Sequence, residues 1–298
     1  RERRGRAVLI TGPAGSGKTR LRQALERMVA EQPGARALTG RASPRRAHTA
    51  LGLMASALER RAQQGAAALG WSSSDAHATV VERRHGVRHL IEESLGARSD
   101  DCVEFLGQLL GVPMPETPRL AAARKDPQLM ADRLRTSLHE YFGGLTERGT
   151  VVLILEDLQW ADPESLALLD DLARRLSKSP FFLFATGRPE LLEERPGFLA
   201  EGDVVRIEPR PLAAPEIASL AQQLTGRLLA PALIDAITER GAGNPMFAEQ
   251  ILLELQSQGQ LGGEPADLPL PVTVEAAVQA RLDHLPAPDK ALIMRGAL

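Results

Sequence analysis

The first segment with chemical content is residues 12–19, which read Gly-Pro-Ala-Gly-Ser-Gly-Lys-Thr and match the pattern G-x-x-x-x-G-K-[ST] in full. Glycines permit positive φ, so consecutive backbone N–H groups can point into one concavity and bind phosphate oxygens. Lys18 adds a cation for the β- and γ-phosphates, and the Thr19 hydroxyl can ligate Mg²⁺. The predicted nucleotide-binding residues are Gly12, Pro13, Ala14, Gly15, Ser16, Gly17, Lys18 and Thr19, together with Arg20 directly after them.

A site of this kind needs acidic residues that hold Mg²⁺ and orient a water molecule. The apolar run 151–155 ends in Glu156 and Asp157, at the carboxyl end of a predicted buried strand, where open parallel sheets bind ligands. Both carboxylates are candidate metal ligands beside Thr19 and candidate catalytic groups. We assign Glu156 to the metal and Asp157 to the water. The alternative is that either acid only caps the turn before the next helix.

Arg188 follows the next apolar run, residues 181–185, and is a third candidate catalytic residue. A guanidinium at this position can make bidentate contacts to the γ-phosphate and so distinguish a triphosphate from a diphosphate. The alternative is an ordinary surface arginine.

The elements that position these residues can be predicted from hydrophobic patterning. Short apolar runs bounded by polar or turn residues are typical of strands covered on both faces. Helical patterns lie between them, one of which begins with Asp162 as N-cap and Pro163 at the first position. The alternation predicts an α/β fold with a parallel sheet. The strand candidates are residues 7–10, 151–155, 181–185 and 204–207, with a weaker one at 37–39.

The same patterns predict the domain organisation. Residues 1–208 form the P-loop domain, with a helical insertion at about 44–148, where no strong strand appears. Residues 209–262 read as helices of a small second domain, and residues 263–298 as the truncated start of a further domain. The chain opens without an initiator Met and stops within a helical pattern, so we expect it to be a piece of a longer protein.

Composition excludes several classes of function. The net charge of −2 provides no basic field for a phosphodiester backbone, so nucleic acid is not an expected partner. The longest apolar runs are far shorter than the roughly 18 residues of a membrane-spanning helix, so no membrane is expected. Cys102 is the single cysteine, which excludes an internal disulfide and agrees with the reducing cytoplasm.

Four segments together carry a family resemblance: residues 12–19, 155–162, 186–190 and 241–247. The chain resembles the AAA-type signal-transduction ATPases with numerous domains, in particular the module joined to bacterial serine/threonine kinase, adenylate cyclase or LuxR-type regulator domains. The resemblance implies strand order 2-3-4-1-5, a helical lid and a winged-helix start near Leu268. It also implies that Arg188 is the sensor arginine and that the turn containing Pro245 approaches the adenine.

These observations favour an ATP- and Mg²⁺-binding regulatory switch in a larger bacterial signalling protein, with nucleotide-dependent self-association among its interactions. Related ATPases commonly carry Asp-Asp or Asp-Glu where this chain has Glu156-Asp157, so we expect slow hydrolysis. The effector and sensor domains would lie outside the present sequence. Two alternatives stay open: a P-loop phosphotransferase acting on a small substrate, and an origin-recognition-like, DNA-associated ATPase.

Overall fold

The computed structural model describes residues 5–68, 79–96 and 100–262, without the side chains of 64–68. The chain divides into two compact units. The first comprises the residues up to Gly12 together with Thr19–Glu208, and the second comprises Pro13–Lys18 together with the chain from Pro209 onward. The expected winged-helix start near Leu268 lies outside the described residues.

The first unit is built on a parallel sheet, which confirms the predicted α/β fold. Within the described residues the sheet has five strands in the order β2-β3-β4-β1-β5, the order that the family resemblance implies. All its strand pairs are parallel. The strands are β1 (Arg6–Thr11), β2 (Ala35–Arg41), β3 (Thr150–Glu156), β4 (Phe181–Gly187) and β5 (Val204–Ile207).

The strand β5 differs from the prediction of a buried strand. Its bounds are those expected, but Val205 is 50% exposed and Ile207 is 39% exposed. The reason is position: among the described residues β5 is the edge strand and pairs with β1 alone. An apolar run identifies a strand, but it does not distinguish an edge strand from a central one.

Helices cover the two faces of the sheet unequally. On one face, a large core joins Leu9, Leu153 and Leu183 to the helices that follow β2 and β3. On the other face, Ile154 and Phe184 pack with Val29 of α1 (Lys18–Ala30) in a smaller cluster. Successive strand residues alternate between these clusters, because side chains of a strand point to opposite faces.

The described residues between β2 and β3 form most of the helices that contribute to the larger core. Gly40 permits a close approach of the first of these helices to β2, because a Cβ there would lie 2.9 Å from Cβ of Ala57. Any larger residue would push the first of these helices off the sheet. The helices are α2 (Gly52–Ala68), α3 (Val80–Leu95), α4 (Asp100–Leu109), α5 (Pro118–Lys125) and α6 (Pro127–Arg148).

Asp162 is the N-cap of α7 (Pro163–Arg175), as its sequence predicts, and it accepts a hydrogen bond from the backbone N–H of Ser165 at 2.8 Å. Its carboxylate also accepts from the backbone N–H groups of Leu51 at 2.8 Å and Leu53 at 3.3 Å. One buried carboxylate therefore caps α7 and joins it to the start of α2. A short helix, α8 (Glu190–Glu194), follows β4.

The second unit contains α9 (Ala214–Thr225), α10 (Pro231–Arg240) and α11 (Pro245–Ser257). Their apolar faces share a core of their own that includes Ile217, Ile237 and Leu252. Among the described residues, no helix is both long enough and apolar enough to cross a membrane.

Candidate functional site

The loop between β1 and α1 carries the predicted phosphate-binding residues and belongs by its contacts to the second unit. Gly15 and Gly17 have φ of +79° and +89°, the left-handed conformation that the motif requires of glycine. The ammonium of Lys18 donates to the backbone oxygen of Pro13 at 2.7 Å and lies 3.4 Å from Oγ of Ser16. The lysine is thus held at its own loop.

The loop contacts the start of α11 directly. Nδ2 of Asn244 donates to the backbone oxygen of Ala14 at 2.9 Å, and the backbone N–H of Met246 points to the oxygen of Gly15 at 3.4 Å. A Cβ on Gly15 would lie only 2.6 Å from Oδ1 of Asn244. Gly15 is therefore required both by its φ and by this approach. Pro245, the predicted adenine neighbour, is the first residue of α11.

In the first unit, the acidic pair lies at the carboxyl end of β3. Arg22 of α1 contacts it: Nε of Arg22 is 3.0 Å from Oε2 of Glu156. The ion pair of Arg22 and Glu156 shows that the first turns of α1 lie beside the end of β3. Thr19 is three residues before Arg22 and therefore lies on the same helix face. Arg20, the residue between them in the candidate site, is exposed.

Asp157 has a left-handed backbone, with φ of +59° and ψ of +40°. A non-glycine residue seldom adopts this conformation, and such strain is concentrated at functional sites. Its Oδ2 accepts from Nε of Arg41 at 2.7 Å. This hydrogen bond and the negative charge of Asp157 raise the pKa of the Arg41 guanidinium.

Arg188 follows β4, whose last residue Gly187 pairs with Thr11 at the end of β1. The backbone N–H of Arg188 donates to Oε1 of Gln159 at 3.1 Å, and the residue is exposed. The sheet therefore brings Glu156, Asp157 and Arg188 to the same carboxyl end of the sheet as the end of β1. Trp160, in the turn after the acids, is 40% exposed and is not a core residue.

The oxygen donors at this end of the sheet fit Mg²⁺. Thr19, Glu156 and Asp157 offer a hydroxyl and two carboxylates, the hard ligands that Mg²⁺ prefers. The described residues contain no group of three or more His, Cys, Asp and Glu side chains that could hold an ion by themselves. A metal here would take its remaining ligands from phosphate and water, which is the usual pattern for Mg²⁺.

Sequence reasoning missed three of the residues in these contacts: Arg22, Arg41 and Asn244. Arg22 had a local signal, because it is four residues before Glu26 on a helix and the two form an ion pair at 2.6 Å. Arg41 had none, since its contact with Asp157 depends on the register of β2 against β3. Asn244 was within a recognised motif, but its contact with Ala14 spans 230 positions of sequence.

A protein of Rhizobium meliloti (strain 1021), described as uncharacterised, is 29% identical over 250 residues, which are 83% of this chain and 22% of that protein. A Signal Transduction ATPase with Numerous Domains (STAND) protein with a tetratricopeptide repeat sensor from Pyrococcus horikoshii aligns with 97% of this chain and 32% of its own, at 14% identity and a TM-score of 0.44.

The ORC1 protein of Aeropyrum pernix, solved in complex with DNA, aligns with 97% of this chain and 65% of its own, also at 14% identity and a TM-score of 0.44. The chain thus spans about a fifth of the curated relative and a third of the STAND protein. The family model described as the AAA ATPase domain matches residues 1–184, more than half of the sequence. The chain belongs to the AAA ATPase domain family.

Proposed function

We propose that this chain is an ATP- and Mg²⁺-binding switch module that hydrolyses ATP slowly, within a larger bacterial signalling protein of the STAND type. In this proposal, residues 1–208 form the nucleotide-binding domain, residues 209–262 form a helical lid, and residues 263–298 begin a further domain. The observation that carries the proposal is the contact of the phosphate-binding loop with Asn244 and Met246 at the start of α11.

The roles of the site residues follow from their chemistry. The backbone N–H groups of residues 14–18 bind the phosphates, and Lys18 turns from the oxygen of Pro13 to the β- and γ-phosphates. Asp157 orients the attacking water and accepts its proton, which first requires the carboxylate to leave Arg41. Arg188 binds the γ-phosphate through its guanidinium.

Thr19 and Glu156 would hold the magnesium ion. When bound, Mg²⁺ neutralises charge that develops on the phosphate oxygens. Because Glu156 reaches one methylene further than an aspartate, its carboxylate is less constrained in position. That difference supports slow turnover.

The switch follows from the contacts of the loop. Phosphate binding reorients the backbone of residues 13–17, and two carbonyl groups of that segment accept from Asn244 and Met246. A rearrangement of the loop must therefore change hydrogen bonds at the N-terminus of α11. A ligand shifts such an equilibrium only by its differential affinity for the two states, which ATP and ADP supply through the γ-phosphate.

The proposal places effector and sensor activities in other parts of the parent protein. The coverage of the Rhizobium meliloti relative, of which this chain spans 22%, supports a module within a longer chain. The near-neutral charge supports a signalling role over strong DNA contact. Nucleotide-dependent self-association belongs to the same proposal.

The test is nucleotide binding and turnover without any added acceptor. By isothermal titration calorimetry, Lys18→Ala should lose tight ATP binding, while Lys178→Ala, an exposed lysine after α7, should bind as the wild type does. Release of phosphate in the absence of an acceptor supports an ATPase over a phosphotransferase. Equal ATP affinity of the wild type and Lys18→Ala would refute the proposed site.

A further inference from the structure

The guanidinium of Arg22 lies beside Glu156, the carboxylate that the proposed site uses as a metal ligand. Its Nε lies 3.0 Å from Oε2 of Glu156, and the two side chains are only 16% and 13% exposed. Nε is buried, yet the angle of this contact does not meet the geometry of a hydrogen bond. Arg22 and Glu156 thus form a largely buried ion pair that lacks a well-aligned hydrogen bond.

A second carboxylate orients the arginine. Nη1 of Arg22 lies 2.6 Å from Oε2 of Glu26, one helical turn further along α1. Oε1 of Glu26 accepts from the hydroxyl of Thr39 on β2 at 3.3 Å, and Thr39 is buried. Glu26 is thus fixed from two sides and keeps the guanidinium near the end of β3 whether or not Glu156 also binds it.

The two acidic residues of the site differ in how firmly their arginines are held. Arg41, the partner of Asp157, is 66% exposed, so water and salt screen that pair. The pair of Arg22 and Glu156 is shielded from solvent, so its mutual attraction is much less screened. A metal ion that binds these carboxylates therefore competes more strongly with Arg22 for Glu156 than with Arg41 for Asp157.

We propose that Arg22 is an internal counter-cation of Glu156, which Mg²⁺ must displace, so that Arg22 lowers the dependence of nucleotide binding on Mg²⁺. This inference rests on the proposed function, because it takes Glu156 as a metal ligand. Two cations cannot both be neutralised by one carboxylate, so each weakens the binding of the other. Glu26 provides the place to which the displaced guanidinium withdraws, since it already binds Nη1.

The contact with Arg22 also explains why position 156 carries a glutamate and not an aspartate. In this scheme one carboxylate at the end of β3 binds either a helix residue or a metal ion. A longer side chain can contact both partners, and the side chain of Glu156 is one methylene longer than that of aspartate. Arg22 and Glu156 therefore act as a unit. Arg22 is a positioning residue in this scheme and takes no part in the transfer of the phosphate.

The measured quantity is the ratio of nucleotide affinity in saturating Mg²⁺ to that in EDTA, from titration with a fluorescent N-methylanthraniloyl-ATP. In Arg22→Met the ratio should rise at least threefold over the wild type, because the competing charge is gone and the apolar stem remains. The matched control is Arg27→Met on the same helix, where Nε donates to the backbone oxygen of Gln23 at 3.4 Å. The control should keep the wild-type ratio.

A second variant tests the scheme with the opposite sign and does not require removal of the buried cation. Glu26→Gln removes the carboxylate to which the displaced guanidinium withdraws, so displacement of Arg22 from Glu156 costs more and the ratio should fall at least twofold. A ratio that rises less than threefold in Arg22→Met, or falls less than twofold in Glu26→Gln, overturns the role of Arg22 while ATP binding by the wild type still supports the proposed function. Failure of the wild type to bind ATP in either buffer overturns both.

Discussion

Asp162 offers a quantitative test of how the first unit is held together. The residue is 1% exposed, and its carboxylate accepts from the N–H groups of Leu51, Leu53 and Ser165 and from the Ser165 hydroxyl at 2.7 Å. In Asp162→Ala three backbone N–H groups lose their acceptor inside the protein. A hydrogen bond to a charged group contributes about 1.5–3 kcal/mol.

The expected loss of stability is estimated from the two shorter bonds, with the N–H groups of Leu51 and Ser165, because the contact with Leu53 is longer at 3.3 Å. Two such bonds give about 3–6 kcal/mol, and bonds that share one carboxylate are not additive, so we expect a loss of about 3–4 kcal/mol. The control is Asp126→Ala at the start of α6. Among the described residues, that exposed N-cap accepts from Gln128 and Leu129 of its own helix alone, and its loss should cost about 1 kcal/mol.

The assay is urea denaturation followed by circular dichroism, with the free energy of unfolding extrapolated to water for both variants. The difference between them isolates the bonds from Asp162 to the start of α2. If Asp162→Ala and Asp126→Ala lose the same stability within 0.5 kcal/mol, a threshold near the usual scatter of such data, the reasoning is refuted and Asp162 is an ordinary helix cap.

Four further outcomes are expected. Arg188→Ala should lower ATP affinity about tenfold or more and leave ADP affinity nearly unchanged in calorimetry, because a charged hydrogen bond to the γ-phosphate is worth at least one decade; a parallel loss for both nucleotides contradicts this role. Asp157→Asn should keep MgATP but lose phosphate release, whereas Glu156→Gln should weaken Mg²⁺-dependent binding; the reverse pattern would exchange the two roles. Burial raises the pKa of the Cys102 thiol from 9.0 to about 12, so the folded protein should not react with a thiol reagent at pH 8, and rapid labelling would contradict its burial. Since the unfolded thiol ionises first, the contribution of Cys102 to stability is intact below pH 9 and is lost as the pH rises towards 12, a loss that Cys102→Ala should not show in urea titrations.

Much of the fold could be predicted because buried parallel strands are apolar throughout and helix caps are local. The run 151–155 and the N-cap Asp162 both give short-range signals, and the structure places β3 and α7 there. The exposure of Val205 could not be predicted, because it depends on which strand lies at the edge of the sheet.

The candidate site divides in the same way. Residues 12–19 are contiguous, so their motif is visible without a structure. The contacts of Arg22 with Glu156 and of Arg41 with Asp157 join elements far apart in sequence. Their existence depends on the placement of α1 and on the register of β2 with β3, which no local pattern encodes.

The long connection between β2 and β3 has a consequence for the order of folding. These neighbouring strands pair in parallel from Ala35 with Thr150 onward, so their association closes a loop of more than 100 residues. The entropy of such a closure must be lost before the pairing gains anything, and contacts of this range slow folding. If the helices between the strands collapse first around Leu106 and Phe142, which are both buried, the effective loop becomes much shorter. The hydrogen bonds of Asp162 to Leu51 and Leu53, over 111 and 109 positions, would then form late, and substitutions of Asp162 should speed unfolding and leave the folding rate almost unchanged.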